Sequence, residues 1–258
     1  MNSATENAFR LTGISYSYLG RHPALMDVDL TIETGEQVVI LGANGCGKST
    51  LLKVMDGLLR PSAGQIEAFG EDVSRAADDA VTARRLHRRV GMVFQDSDVQ
   101  LFSPTVWDDL VFGPLQMGWS DQDVRRRSER ALEMMEITEL AQRAPYELSE
   151  GEKKRAAIAT VLALDPEALL LDEPTASLDP RSKAVLLELV TRLWRGGKTV
   201  VTTTQELEVA PMIGTRAIVF GYRERRPIAD GPVDKILGDE RLLIEANLIH
   251  PRLRRVRV

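Results

Sequence analysis

Apolar residues recur along the chain in short runs that alternate with longer amphipathic segments. The segments 50–55, 108–140 and 149–164 have a helical pattern, the second with breaks at Gly113-Pro114 and Gly118. Strands that alternate with helices predict an α/β fold whose sheet is mostly parallel and binds ligands at the carboxyl ends of its strands. The runs that predict these strands are residues 38–41, 90–94, 168–171, 198–204 and 217–220, the last of which precedes a short helical tail.

Residues 9–18 and 27–33 differ from these runs, because their apolar and polar positions alternate one by one. This period of two predicts strands with one exposed face, and residues 19–23 predict the turn between them. Tyr18, at the end of the first strand, has a flat ring that could stack on a nucleotide base or pack within the strand.

A glycine-rich loop follows the strand at 38–41 and leads into the first helix. Its sequence, Gly42-Ala43-Asn44-Gly45-Cys46-Gly47-Lys48-Ser49, satisfies the pattern G-x-x-x-x-G-K-[ST] and is followed by Thr50. The glycines let backbone amides turn toward a phosphate chain, and the positive end of the helix favours the same anion. We expect Lys48 to reach the β- and γ-phosphates and the Ser49 hydroxyl to bind Mg²⁺. The alternative is a glycine-rich turn with a chance lysine.

Two carboxylates, Asp172 and Glu173, directly follow the apolar run at 168–171. Acidic side chains at the end of a buried strand are costly unless they serve an ion or a reaction. A second polar signal, Ser149 with Glu152 three residues later, is typical of a capping box at a helix start. A capped helix terminus can also bind phosphate, so both interpretations of Ser149 stay open.

The composition excludes several classes of protein. The 258 residues include 33 basic and 38 acidic ones, and the net charge of −5 argues against a nucleic-acid partner. No apolar run approaches the roughly 20 residues of a membrane span, and residues 1–10 lack the apolar core of a secretion signal. The single cysteine, Cys46, excludes an internal disulfide and suits a reducing compartment. Arginine clusters, which are either solvated faces or contacts for a lipid head group or partner, lie at 84–85, 88–89, 125–127 and 252–257.

Five motifs in a fixed order make residues 8–248 resemble the nucleotide-binding subunit of an ABC transporter. The resemblance implies a P-loop NTPase with the ABC-ATPase fold: a mostly parallel core sheet, an N-terminal antiparallel β region and a helical signature subdomain at about 96–165. A basic tail at 249–258 lies beyond it. The matching segments are the glycine loop as Walker A, Gln95 as the Q-loop, residues 148–152 as the signature, residues 169–172 as Walker B before Glu173, and Ser177-Leu178-Asp179 as the D-loop, with Tyr18 at the base-stacking position.

The resemblance also implies ATP and Mg²⁺ as cofactors. Glu173 would be the general base that activates water. Asp172 and Ser49 would hold the metal, and Gln95 would sense both the metal and the attacking water. Gln205 stands where the family's switch-loop histidine is expected; it keeps a hydrogen-bond donor but cannot carry a charge.

In the family one chain does not complete the site, because the signature of one subunit covers the ATP of the other. Ser149 and Gly151 are therefore expected to contact nucleotide across a head-to-tail homodimer of ATPase subunits, and Asp179 of the D-loop is also expected to bind nucleotide. Separate membrane proteins, a transmembrane coupling subunit and a substrate-binding subunit, would convert dimer closure into transport. The resemblance thus implies a peripheral protein on the cytoplasmic face of the inner membrane, without a nucleic-acid partner.

The segment after Gln95 carries a finer resemblance, to the ATPases of cobalt and nickel importers of the energy-coupling-factor type. Vitamin importers share much of this stretch, so an energy-coupling-factor vitamin importer or another ABC importer is the alternative. The segments that carry the resemblance are residues 94–106, Asp109, 112–114, 229–232 and 242–248.

Three apolar residues of this segment, Val99, Leu101 and Phe102, lie in an otherwise polar stretch. We expect them to be exposed and to dock a coupling helix of the membrane subunit. The alternative is that they form a small local core.

Two positions depart from the family pattern. Glu150 stands where the signature has glycine, so its carboxylate must either point away from the nucleotide or repel the phosphates. Gln205 replaces the switch histidine. These departures favour, as a rival, a catalytically weak regulatory subunit. A soluble ABC ATPase that acts on DNA or ribosomes is a further rival, but the chain has neither a long coiled coil nor a second cassette.

Overall fold

The computed structural model describes residues 7–250, so residues 251–258 of the basic tail lie outside the described part. No helix within residues 7–250 is long and apolar enough to cross a membrane. The strands are β1 (Asn7–Tyr18), β2 (His22–Glu33), β3 (Gln37–Leu41), β4 (Ala63–Ala68), β5 (Glu71–Asp72), β6 (Val90–Val93), β7 (Ala168–Asp172), β8 (Thr199–Thr204), β9 (Arg216–Phe220) and β10 (Pro227–Pro232). The helices are α1 (Lys48–Met55), α2 (Ala80–His87), α3 (Val106–Gln116), α4 (Asp121–Met134), α5 (Glu150–Leu162), α6 (Pro180–Arg195), α7 (Ala210–Ile213), α8 (Val233–Gly238) and α9 (Glu240–Glu245).

The central sheet has six strands in the order β10-β9-β3-β8-β7-β6, and every neighbouring pair is parallel except β10 with β9. Strands β3, β7 and β8 are buried along their whole length, which explains why the sequence shows continuous runs there rather than alternation. The register places Leu41 beside Thr204 and Asp172 beside Thr203. The loops after β3, β7 and β8 therefore leave the same edge of the sheet, as predicted for a ligand site.

The prediction that residues 217–220 form the last strand is wrong, because β10 follows and pairs with β9 in an antiparallel hairpin. All residues of β10 are half-buried or exposed, and the strand begins and ends with proline. It lies at the sheet edge, where proline is tolerated, so no apolar run marks it in the sequence. Residues 221–226 connect β9 to β10.

The alternating N-terminal segments form a separate antiparallel sheet of order β2-β1-β4-β5, as the family resemblance implies. Strand β2 begins at His22 rather than at residue 27, although Pro23 follows directly. This is possible because β2 is an edge strand, where proline is tolerated. Phe9 and Ile14 of β1 share one hydrophobic core with Leu51 of α1. That core holds the end of β1 close to the start of α1.

Helices α3, α4 and α5 pack around a second core beside β6 and β7 and form the predicted helical subdomain. The predicted break at Gly113-Pro114 is wrong, since α3 continues through both residues to Gln116. Pro114 lies in the last turn of α3, where it removes only one helical hydrogen bond. The helix ends before Gly118, whose φ of +73° is the left-handed conformation typical of a helix terminus.

Candidate active site

The glycine loop leaves the carboxyl end of β3 and enters α1 at Lys48. Gly45 and Gly47 both have positive φ, at 78° and 116°. A Cβ at Gly47 would collide with the carbonyl oxygen of Ala24, so only glycine fits there. No side chain caps the N-terminus of α1, and its first N–H groups are therefore available to an anion.

A cleft of about 460 Å³ opens over this loop. It brings residues of the glycine loop together with predicted site residues from three distant parts of the sequence. The predicted residues that line it are Tyr18, Asn44, Gly45, Gly47, Lys48, Ser49, Thr50, Gln95 and Glu173. Three chain regions, the end of β1, the loop after β6 and the loop after β7, thus meet over the start of α1.

Lys48 and Glu173 form a buried ion pair at the base of the cleft, with 3.0 Å between Nζ and Oε1. The ammonium of Lys48 also donates to the carbonyl oxygens of Gly42 (2.8 Å) and Ala43 (3.4 Å). The φ of Glu173 is +42°, and its N–H donates to the carbonyl and hydroxyl oxygens of Thr203. A phosphate placed in the cleft would compete with Glu173 for the Lys48 ammonium.

The buried carboxylate of Asp172 lies one residue before Glu173 and accepts a hydrogen bond of 2.7 Å from the Thr203 hydroxyl. Thr203 therefore orients both acidic residues, through the side chain of the first and the backbone of the second. Within residues 7–250 no group of three histidine, cysteine or acidic side chains could hold a metal by itself. A magnesium site built from one carboxylate, the Ser49 hydroxyl and nucleotide phosphates needs no such group, and the donors present fit it.

Tyr18 packs against its neighbours and also lines the cleft. Its hydroxyl lies 3.2 Å from the Thr50 Oγ1, and its ring meets the ring of Tyr16 edge to face. The ring is still 40% exposed and lines the cleft. Packing on one side therefore fixes a ring whose other side remains accessible to a ligand.

Gln95 links the cleft to the signature helix α5. Its backbone carbonyl accepts a hydrogen bond of 2.6 Å from the Nζ of Lys154, a buried residue of α5. Burial lowers the pKa of Lys154. Gln95 also lines a smaller cleft of about 270 Å³ together with Glu150 and Ser177. A displacement of the loop at Gln95 would thus be transmitted directly to α5.

The signature residues do not line the cleft of their own chain. Ser149 forms the predicted capping box, since its Oγ accepts from the Glu152 N–H and the Glu152 carboxylate accepts from the Ser149 N–H. Gly151 packs against α6, where an added Cβ would lie 2.8 Å from the Ser182 Oγ. The Glu150 carboxylate lies 3.3 Å from the Nζ of Lys153, which also pairs with an aspartate after β6.

Asp179 and Gln205 also lie outside the cleft. Asp179 caps the N-terminus of α6 and accepts from two N–H groups there. Gln205 is exposed directly after β8. Its neighbour Glu206 pairs with Lys183 of α6. The ends of α6 and β8 are thus tied together beside the cleft.

Four cleft residues were missed by the sequence reasoning: His22, Pro23 and Ala24 at the start of β2, and Arg225 in the β9–β10 hairpin. None belongs to a recognisable motif, and no signal in the sequence identifies them. Cys46 needs a correction of a different kind. Its side chain is fully buried beneath the loop, so only its backbone can serve a nucleotide. Burial raises the pKa of its thiol.

The sequence profile of ABC transporters matches residues 25–176, more than half of the chain. The chain belongs to the ABC transporter ATP-binding family. The nickel import ATP-binding protein NikO of Rhodobacter capsulatus is 44% identical to this ABC subunit over 246 residues, which are 94% of this chain and 96% of the relative.

Two solved structures extend the comparison to the fold. CbiO1 of Clostridium perfringens, part of the ABC transporter complex CbiONQ, aligns at a TM-score of 0.81 with 32% identity and covers 96% of this chain and 97% of that chain. The dimeric bacterial ABC cassette MJ0796 aligns at a TM-score of 0.77 with 29% identity and covers 87% and 98%. These comparisons confirm the ABC-ATPase fold and the activity class, ATP hydrolysis in the service of transport.

Proposed function

We propose that this ABC subunit binds MgATP in the cleft above α1 and hydrolyses it with Glu173 as general base. The observation that carries the proposal is the meeting of Lys48, Gln95 and Glu173 around one cleft at the uncapped end of α1. Backbone N–H groups of the loop and the Lys48 ammonium would hold the phosphates, and Tyr18 would stack on the base. Mg²⁺, held by Ser49, Asp172 and Gln95, would supply positive charge to the phosphate oxygens.

The ion pair between Lys48 and Glu173 implies an order of steps, in which nucleotide binds before Glu173 acts as base. When the phosphate chain attracts Lys48, the carboxylate of Glu173 loses its counter-ion and becomes a free acceptor. It can then accept the proton of a water molecule that attacks the γ-phosphate. Before nucleotide binds, the same carboxylate is neutralised. In this proposal, ATP binding itself releases the base.

A second copy of this chain would complete the site. Ser149, Gly151 and Asp179 lie outside the cleft of their own chain, and Glu150 is turned toward Lys153 rather than left free at the helix start. In a head-to-tail homodimer, the N-terminus of α5 would face the partner's nucleotide with its N–H groups. Support for such a dimer comes from the dimeric state of the cassette MJ0796.

The segment after Gln95 would dock the membrane subunits. Val99 and Phe102 are 68% and 65% exposed, as expected, and Phe102 meets the half-exposed Phe112 edge to face at 5.1 Å. The expectation for Leu101 is wrong. It is buried in the core of the helical subdomain, because Asp109 accepts the backbone N–H groups after it and turns the chain inward there.

Replacement of Phe102 by Asp tests this surface, because a charge there should weaken binding to the membrane subunits. The matched control is Val81→Asp, since Val81 is 67% exposed on α2, outside the proposed docking segment. Co-purification with the membrane subunits should fall for Phe102→Asp alone, while both variants keep ATP binding. Equal co-purification of both would remove Phe102 from the docking surface.

The transported solute is proposed to be a transition-metal ion, nickel or cobalt, moved by an importer of the energy-coupling-factor type at the cytoplasmic face of the inner membrane. Support comes from the name of the 44% identical relative NikO and from the segments that resemble metal importers. A strain that lacks a nickel or cobalt importer of its own should accumulate labelled nickel or cobalt when it is supplied with this chain and its membrane subunits. Lys48→Ala should abolish that uptake. Uptake of a vitamin instead of either metal would contradict the proposal.

A further inference from the structure

The hairpin between β9 and β10 contributes to the cleft a residue that no motif predicts. Arg225 lines the cleft together with Tyr18 and Lys48. Its backbone is fixed at both ends: its N–H donates to Gly221 O at 3.1 Å, and its carbonyl accepts from the Met26 N–H at 3.0 Å. The second bond joins the hairpin to β2. Arg225 is thus held at the cleft by one backbone contact within its own hairpin and one to β2.

The backbone of Arg225 adopts an unusual conformation for this position. Its φ is +55°, in the left-handed region that an arginine enters at some energetic cost. Glycine would adopt this conformation without that cost. The backbone conformation of the hairpin therefore does not favour arginine over glycine at this position.

The positive charge of Arg225 acts on the glycine loop. Burial raises the pKa of the Cys46 thiol, and the charges of Lys48 and Arg225 both oppose that rise. The two cations differ in their partners. Lys48 is neutralised by Glu173, whereas within residues 7–250 the Arg225 guanidinium has no carboxylate at ion-pair distance and lies over the Tyr222 ring, 5.4 Å from its centroid.

We propose that Arg225 is a further nucleotide-binding residue of this ABC subunit, whose guanidinium donates hydrogen bonds to phosphate oxygens of the bound nucleotide. A planar guanidinium with five donors suits phosphate oxygens better than a neutral side chain does. Because no carboxylate of residues 7–250 lies at ion-pair distance from Arg225, nucleotide binding breaks no ion pair between Arg225 and these residues. The inference rests on the proposed placement of MgATP in this cleft.

Titration calorimetry of the full chain with MgATP and with MgADP tests the proposal. The first variant is Arg225→Gly, which suits the positive φ and removes only the side chain. Because charged hydrogen bonds to phosphate are lost, we expect binding of both nucleotides to weaken about 10-fold. Arg225→Lys should lose less, since it keeps the charge without the planar fork. The loss of nucleotide affinity in Arg225→Gly should be smaller at 300 mM salt than at 50 mM, because salt screens the charge that the variant lacks.

The matched control is Arg223→Ala, which removes the same charge from the same hairpin at a residue that lines a different cavity. Its affinity for nucleotide should stay within about 2-fold of the wild-type value, because the charge of a residue outside the cleft is screened by salt and acts weakly on the nucleotide. Thermal unfolding of every variant checks that the fold is kept. Wild-type affinity of Arg225→Gly, or an equal loss in Arg223→Ala, would overturn the proposal.

Lys48→Ala separates this inference from the one on which it rests. If Lys48→Ala abolishes nucleotide binding and Arg225→Gly does not weaken it, the cleft is the nucleotide site and only the role of Arg225 is wrong. If Lys48→Ala binds nucleotide as the wild type does, the placement of MgATP in the cleft is wrong, and the inference about Arg225 is overturned with it.

Discussion

Replacing Glu173 by Gln separates two effects that the structure joins in one residue. The carboxylate is the proposed base, and before nucleotide binds it is the counter-ion of Lys48 at 3.0 Å. Glutamine keeps the shape and one carbonyl acceptor but removes both the charge and the basicity. We therefore expect Glu173→Gln to lose turnover and, at the same time, to be less stable without nucleotide and more responsive to ATP.

The size of each effect follows from the geometry. A positioned general base contributes roughly 10²- to 10⁴-fold to the rate, or about 3 to 5 kcal/mol of the barrier. Two charges 3.0 Å apart attract by roughly 5 kcal/mol at an effective dielectric constant of about 20, before desolvation is subtracted. Lys48 keeps the carbonyls of Gly42 and Ala43, so we expect a net loss of about 2 kcal/mol, which lowers the Tm by roughly 4 to 8 °C.

Steady-state ATP hydrolysis and thermal unfolding, with and without MgATP, measure both effects. Because Lys48 no longer has to leave a carboxylate, MgATP should raise the Tm of Glu173→Gln more than that of the wild type. Glu167→Gln is the matched control, since it removes a carboxylate from the exposed pair with Arg89 at the opposite end of β7. Wild-type turnover in Glu173→Gln would refute the role as base. An unchanged Tm without nucleotide would refute the ion pair.

Three further measurements test other parts of the molecule. Cys46 is buried, and burial raises the pKa of its thiol. Iodoacetamide should therefore modify the native protein slowly even without MgATP, and quickly in urea. Rapid modification of the native protein that MgATP prevents would contradict this burial. The pKa of His87 is raised, chiefly by the Asp56 carboxylate, which lies 3.6 Å from its Nε2. The stability from this pair is present below the ordinary histidine pKa of about 6.5 and is lost as pH rises through the higher folded value, so urea unfolding should show a decrease above pH 6.5 that His87→Gln lacks. An equal decrease in His87→Gln would assign it to other groups. Gln205→Ala should slow hydrolysis roughly 10-fold or more if the amide donates to the γ-phosphate, and Gln205→His should add an inflection near pH 6.5. Wild-type rates in Gln205→Ala would favour the regulatory-subunit alternative.

Short-range features of this protein were predictable because they depend on neighbouring residues. The glycine loop, the strand before it and the helix from Lys48 follow one another directly, and their conformations depend on glycine torsion angles and local periodicity. The capping box at Ser149 spans only four residues. The buried strands β3, β7 and β8 were evident because continuous burial requires continuous apolar or β-branched sequence.

Other features depend on which strands lie side by side, and the sequence did not determine them. Strand β10 and Arg225 belong to a hairpin at the sheet edge, whose residues are half-buried or exposed and therefore show no hydrophobic pattern in the sequence. Leu101 became buried because Asp109 turns its loop inward, and a polar stretch of sequence does not reveal that turn. The pairing of Lys48 with Glu173 requires β3 and β7 to flank β8 in register. Only the parallel sheet brings those two ends together, since long-range proximity arises from packing rather than from local conformational preference.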